Sequence, residues 1–237
     1  MVSHQRPGRM VIQAGRLQAQ DAASTDLARV DDRALCPQGH VTGGAQGAGV
    51  QEILDEVQVQ ATEAQELAIA AQAVPAVAAH AGPVYMRLLR GQVPMVLDEY
   101  NYRFELGKAK LLRGGRDVLI ISSGLLTMRA LEAAKAMEGG AADVAVLHVP
   151  TIKPLDEATL LREASVSGRL VVVAENHAAI GGLGEAVASL LLRNRLAPAF
   201  HQIALPDAFL DAGALPTLHD RYGISTEAIV ASLKSWL

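Results

Sequence analysis

The sequence predicts an α/β fold whose mainly parallel sheet is covered by helices on both faces, and three observations carry that expectation. Strand-like and helical runs alternate over residues 101–237, the order that builds a parallel sheet with helical crossovers. Runs such as Val144–Val149 and Leu170–Ala174 are short and almost unbroken in apolar character, as suits strands buried on both faces. Finally, Leu170–Ala174 runs straight into Glu175, Asn176 and His177, then into Gly181, Gly182 and Gly184 and an apolar helical run. Polar residues at the carboxyl end of a strand are where open α/β sheets place ligand and partner contacts.

In chain order, residues 1–38 are polar and arginine-rich and read as a poorly structured lead-in, with a helix expected around Val11–Gln20. Residues 39–100 open on the glycine-rich stretch GHVTGGAQGAG. A helix is expected from about Thr62 to Ala79, with Glu63 and Glu66 in its first turns, where the helix dipole favours acids. The strand Val84–Leu89 and a linker over 91–100 complete this zone. Residues 101–237 then carry strands near Phe104–Leu112, Asp117–Ser122, Val144–Val149, Leu170–Ala174 and Phe200–Leu205. Helices are expected near Leu125–Met137, Asp156–Ala164, Leu183–Arg195 and Ser225–Leu237, with Asp156 and Ser225 as N-caps.

Composition narrows the function classes. Half of the 237 residues are hydrophobic, enough for a substantial core, and the net charge of −4 offers no electrostatic case for nucleic acid. One cysteine, Cys36, excludes an intramolecular disulfide and suits a reducing cytoplasm. Arg6, Arg9, Arg16 and Arg29 precede no apolar h-region, so the start does not read as a secretory signal. The alanine-rich segment 66–86 is interrupted by Gln72, Pro75 and His80 and reads as a helix plus a strand rather than a membrane span.

Several residues could carry chemistry. The glycines at 181, 182 and 184 could form an anion site at a helix N-terminus, or could permit tight packing or an interface. Their G-G-L-G spacing departs from a dinucleotide fingerprint, which favours packing or an interface. Glu175 and His177 could be acid/base groups, but nothing nearby supplies a nucleophile, so a turn or subunit-interface network is the better reading. His148, within VAVLHVPTI, reads as a core or crevice histidine. The histidines never pair at metal-ligand spacing, so no metal site is expected. The loop Thr42–Gly49, with four glycines in eight residues, is either a ligand wrap or a connector. Arg87 and Arg90 flank the end of the strand VYMRLLRG, and Arg90 is well placed to fork onto a phosphate.

Together, GPVYMRLLRG (82–91), FELGKAKLLRGGRDVLIISSG (104–124), TIKPLD (151–156), ENHAAIGGLGEAVA (175–188), LPDAF (205–209) and RYGISTEAIV (221–230) resemble the C-terminal section of transketolases of the split kind, in which two genes encode the two halves. The resemblance covers about residues 39–237. It implies a partial pyrimidine-binding domain over 39–100, with its linker, and a three-layer transketolase C-terminal domain with a mainly parallel sheet over 101–237. It further implies thiamine diphosphate with Mg²⁺, bound mainly by a partner N-terminal section, and transfer of a two-carbon ketol unit between sugar phosphates. Arg90 corresponds to the family's phosphate-contacting arginine, and Gly43, Gly44, Gln46 and Gly47 match its active-site loop. Glu175, His177, Gly181, Gly182 and Gly184 are then expected at a subunit interface, in a homodimer formed through the C-terminal domain.

The sequence also departs from the family. The glutamate of the A-E-Q/N motif, which activates the aminopyrimidine, has no counterpart in residues 1–81, and Val50 stands where the family places a substrate-facing histidine. No catalytic residue is therefore assigned, and the isolated chain is expected to be inactive. Asp55 matches an acidic position in the following helix. The expectation is a truncated copy with an unrelated lead-in, or else a diverged accessory subunit. A non-catalytic dimerisation module and the β subunit of a 2-oxo-acid dehydrogenase E1 are the alternative functions.

Overall fold

A computed structural model describes residues 11–12, 57–61, 72–88, 97–140 and 142–237. Its larger sheet is built from β4 (Lys110–Arg113), β5 (Val118–Ser122), β6 (Val144–His148), β8 (Leu170–Ala178) and β9 (Phe200–Leu205), in the order β4-β6-β5-β8-β9. The last four strands in that order run parallel, and β4 closes the edge antiparallel to β6. Alternation of side chains along each strand divides the core into two layers. Val118, Ile120, Val144, Val146 and Val172 join one cluster with helices α2 (Leu125–Ala136) and α6 (Thr226–Trp236). Leu119, Ile121, Leu147, Val171 and Val173 join the other with α3 (Glu157–Ala164) and α4 (Leu183–Arg193). The result is the expected three-layer α/β/α arrangement. Each fully buried Val, Leu or Ile contributes roughly 1.5–3 kcal/mol, so the unbroken apolar strands fix both layers at once.

The smaller sheet has the order β1-β3-β2-β7, from β1 (Val11–Ile12), β2 (Val57–Ala61), β3 (Val84–Leu88) and β7 (Thr151–Lys153). Helix α1 is seen over 72–78. Its Ala73 and Val77, with Val84 and Met86 of β3, belong to the same apolar cluster as α2 and α6. The remainder of the helix expected over 62–79 lies outside the described residues. No described helix is long and apolar enough to cross a membrane.

Several expectations are corrected. Val11–Ile12 form a strand parallel to Tyr85–Met86 rather than part of a helix. The strand expected over Phe104–Leu112 begins only at Lys110, because earlier backbone donors are taken by side chains. Phe104 N–H donates to Gln72 Oε1, Gly107 N–H to Thr151 Oγ1 and Ala109 N–H to Asp156 Oδ2, at 2.9, 3.0 and 3.1 Å. Strand β8 runs through Glu175, Asn176 and His177 to Ala178, with its register against β9 shifting between Ala174 and Ala178. Helix α5 (Leu215–Arg221) was not expected. Both caps are as expected: Asp156 accepts from Thr159 N–H, and Ser225 from Ala228 N–H, each at 3.2 Å.

Candidate functional site

The carboxyl ends of the strands gather polar side chains in three places. In the first, Glu175 is wholly buried near the end of β8. Its carboxylate accepts from Leu183 N–H and Gly184 N–H in the first turn of α4, both at 2.8 Å, and from Gln202 Nε2 on β9 at 3.1 Å. An anion here satisfies two of the helix's unpaired donors and complements the positive end of its dipole. The glycines make the approach possible. A Cβ on Gly182 would lie 2.3 Å from Glu175 Oε2, and one on Gly184 would lie 2.3 Å from Gln202 Cδ. Gly181 adopts φ 75°, the left-handed region that favours glycine, and donates its N–H to Glu185 at 2.7 Å.

The second place lies where β5 and β6 end beside α2. Ser122 Oγ donates to Thr127 Oγ1 at 3.0 Å, and Thr127 Oγ1 bonds His148 Nδ1 at 2.8 Å. Thr127 Oγ1 can donate to Nδ1 or accept from it, according to which ring nitrogen carries the proton. Burial pushes the His148 pKa down to about 3, so the ring is neutral. Tyr102 packs edge-on against this ring, with centroids 5.1 Å apart, and burial pushes its phenol up. His148 Nε2, Tyr102 Oη and Ser123 Oγ have no hydrogen-bond partner among the described residues.

The third place joins the two sheets. Arg87 of β3 donates from Nη1 to the Asn176 carbonyl at 3.2 Å. Both residues border a cavity of about 190 Å³, as does His219 of α5. Arg129 Nη2 lies 3.0 Å from His219 Nδ1. Arginine only donates, so Nδ1 accepts and the imidazole is neutral. Burial, reinforced by the Arg129 cation, lowers the His219 pKa.

Set against the sequence, the structure brings Glu175, Gly182 and Gly184 together. His177 is half-buried with Nδ1 3.2 Å from the Ala178 carbonyl, while Gly181 is exposed. Arg90, Gly43, Gly44, Gln46 and Gly47 lie outside the described residues, as do Val50 and Asp55. Among the described residues, no group of three or more His, Cys, Asp or Glu side chains could hold a metal ion. Sequence reasoning did not find the parts played by Gln202, Thr127 and His219. Only Thr127 carried a signal, a hydroxyl in the first turn of a helix otherwise apolar there.

Comparison with known proteins agrees with this architecture. The family model for the transketolase C-terminal domain matches residues 107–229. An uncharacterized transketolase family protein of Sinorhizobium fredii is 74% identical over 167 residues, covering 70% of this chain and 48% of the relative. A 6-deoxy-6-sulfo-D-fructose transketolase subunit of Clostridium sp. is 39% identical over 184 residues, covering 78% of this chain and 53% of the relative. Among solved structures, a split-gene transketolase described as an inactive β4 tetramer superposes with a TM-score of 0.67 at 35% identity, covering 76% of this chain and 57% of that one. The chain thus spans about half the length of these curated relatives. With more than half of its residues matched by the family model and its three-layer fold shared with a split-gene member, the chain belongs to the transketolase family, and residues 107–229 are its C-terminal domain.

Proposed function

We propose that this chain is the C-terminal section of a two-subunit, thiamine-diphosphate-dependent transketolase that moves a two-carbon ketol unit between sugar phosphates. Alone it turns over no substrate; it works with an N-terminal section and self-associates through its C-terminal domain. The observation that carries this reading is the 39% identity to a protein that is itself a transketolase subunit. Family membership supports the cofactor, which supplies carbanion chemistry when bound. In this reading the N-terminal section holds Mg²⁺ and the diphosphate. Arg90, followed by Gly91, takes the substrate phosphate, and Gly43, Gly44, Gln46 and Gly47 line the substrate side.

The same geometry favours a second reading, a non-catalytic assembly module. Glu175 is consumed in anchoring α4, and His148 is buried and neutral, so neither is a free acid or base. One experiment separates the two. The chain is mixed with a matching N-terminal section, thiamine diphosphate, Mg²⁺, xylulose 5-phosphate and ribose 5-phosphate. The transketolase reading expects turnover by the pair and none by the chain alone, with Arg90→Ala raising KM for phosphorylated donors more than for free sugars. Binding without turnover supports the assembly module instead. Robust turnover by the chain alone contradicts both.

A further inference from the structure

The segment between β9 and α5 is unlike the rest of the described surface. Residues 206–217 are exposed without a break, and 206–214 have no regular structure. What ties the segment down is polar. Asp211 N–H donates to Tyr222 Oη at 3.0 Å, and the Asp211 carboxylate pairs with Arg221. Its apolar residues face outward: Phe209 is 109% exposed, and Leu210 and Leu215 are each more than one-third exposed. Scattered exposed apolar side chains are ordinary, but a fully projecting phenylalanine on an anchored loop is the form of an interface anchor. Beside it lies the cavity of about 190 Å³, with Leu205, Leu210, Leu215, Leu218 and Ile224 in its wall. An aliphatic cavity of roughly 150 Å³ is enough to take a benzene ring.

From this juxtaposition we propose that Phe209 of one copy inserts into the cavity walled by Leu210, Leu215 and Leu218 of a second copy, in a two-fold contact. A two-fold interface uses the same patch on both partners, so each patch must carry both knob and hole, and this one does. The occupant is a second copy because the patch is also balanced in charge. Arg87 and Asp211 border the cavity, Arg221 pairs with Asp211, and Arg129 and Asp220 act on His219 in its wall, so the patch does not confront its own image with a single sign. The inference rests on the self-association proposed above and names its surface.

The test measures self-association of the full 237-residue chain by sedimentation velocity across a concentration series, for wild type, Phe209→Ser and Leu215→Glu. Both side chains are exposed enough for the variants to fold, which circular dichroism checks. Each variant is expected to weaken self-association by at least about 30-fold, the scale of an interface hot spot. An equimolar mixture of the two variants has one intact knob and one intact hole in a single pair. It is therefore expected to associate at least about fivefold more tightly than either variant alone. A wild-type chain that stays monomeric removes the self-association reading and this contact with it. A wild-type oligomer that Phe209→Ser leaves intact overturns this contact only, as does a mixture no tighter than its components. Loss of binding to the N-terminal section with self-association unchanged also overturns it, and assigns the patch to the other subunit.

Discussion

Replacing Glu175 by alanine removes the acceptor shared by two buried backbone donors. Leu183 N–H and Gly184 N–H each lose a 2.8 Å bond, while Gln202 Nε2 keeps the Ala179 carbonyl at 3.0 Å. Hydrogen bonds to a charged group contribute about 1.5–3 kcal/mol each, so two of them set a gross loss of about 3–6 kcal/mol. Removing the carboxylate also removes its desolvation penalty, which offsets part of that loss. The expected net destabilisation is about 3 kcal/mol, or a Tm lower by about 6–12 °C in a chain of this size. Glu175→Gln keeps the shape and one acceptor oxygen, so one donor stays bonded and the expected loss is about 1–2 kcal/mol. Urea unfolding followed by Trp236 emission measures both. Trp236 is the only tryptophan in the sequence and stacks on His201 at 4.1 Å, a contact that unfolding breaks. Glu175→Ala within about 0.5 kcal/mol of wild type, the range of an ordinary surface change, would refute the reasoning. So would a glutamine variant less stable than the alanine one.

Two further outcomes follow from the packing and the buried histidines. Gly115→Ala would set a Cβ 2.3 Å from Ala145 N and 2.4 Å from Val144 C, whereas a Cβ on Gly114 meets nothing within 4 Å. Backbone cannot yield cheaply, so Gly115→Ala is expected to cost at least about 2 kcal/mol and Gly114→Ala under about 1 kcal/mol; equal Tm values for the two variants would contradict this. His148 has a folded pKa of about 3, below its ordinary 6.5, so at intermediate pH the unfolded chain binds a proton that the native one does not. Its stabilising contribution is therefore full above about pH 6.5 and falls by up to about 1.4 kcal/mol per pH unit below that. His219, also lowered, acts in the same direction. Urea midpoints between pH 7.5 and 4.5 should fall less steeply for His148→Gln than for wild type, and parallel slopes would count against the assignment.

The sheet was legible where local composition and burial agree. Val118–Ser122, Val144–His148 and the start of β8 are apolar on both faces because both faces are covered, and a continuous apolar run is the mark that leaves. Asp156 and Ser225 were legible because a cap acts within three residues. Other features depend on distant partners. Strand β7 is three residues long and pairs with β2, some ninety positions earlier. The backbone from Phe104 to Ala109 stays out of the sheet because Gln72, Thr151 and Asp156 accept its donors. At Glu175, the polar triplet and the glycines were visible in the sequence, but the acceptor's bonds to Leu183 and Gly184 of α4 and to Gln202 of β9 were not, because those partners lie eight to twenty-seven positions away.

The placement of β7 bears on how the protein can be divided. It lies within the C-terminal domain's stretch of sequence, between β6 and α3, yet it hydrogen-bonds antiparallel to β2 and forms an edge of the other sheet. A fragment cut at residue 101 would keep the whole larger sheet but strip β7 of its neighbour. That would leave a short strand with free N–H and C=O groups, which recruits foreign strands. The sequence boundary between the two sheets is therefore a poor place for scissors: β7 works as a hem stitched across from one cloth to the other. Pieces designed to isolate the C-terminal domain will be better behaved if they carry β2 and β3 with them.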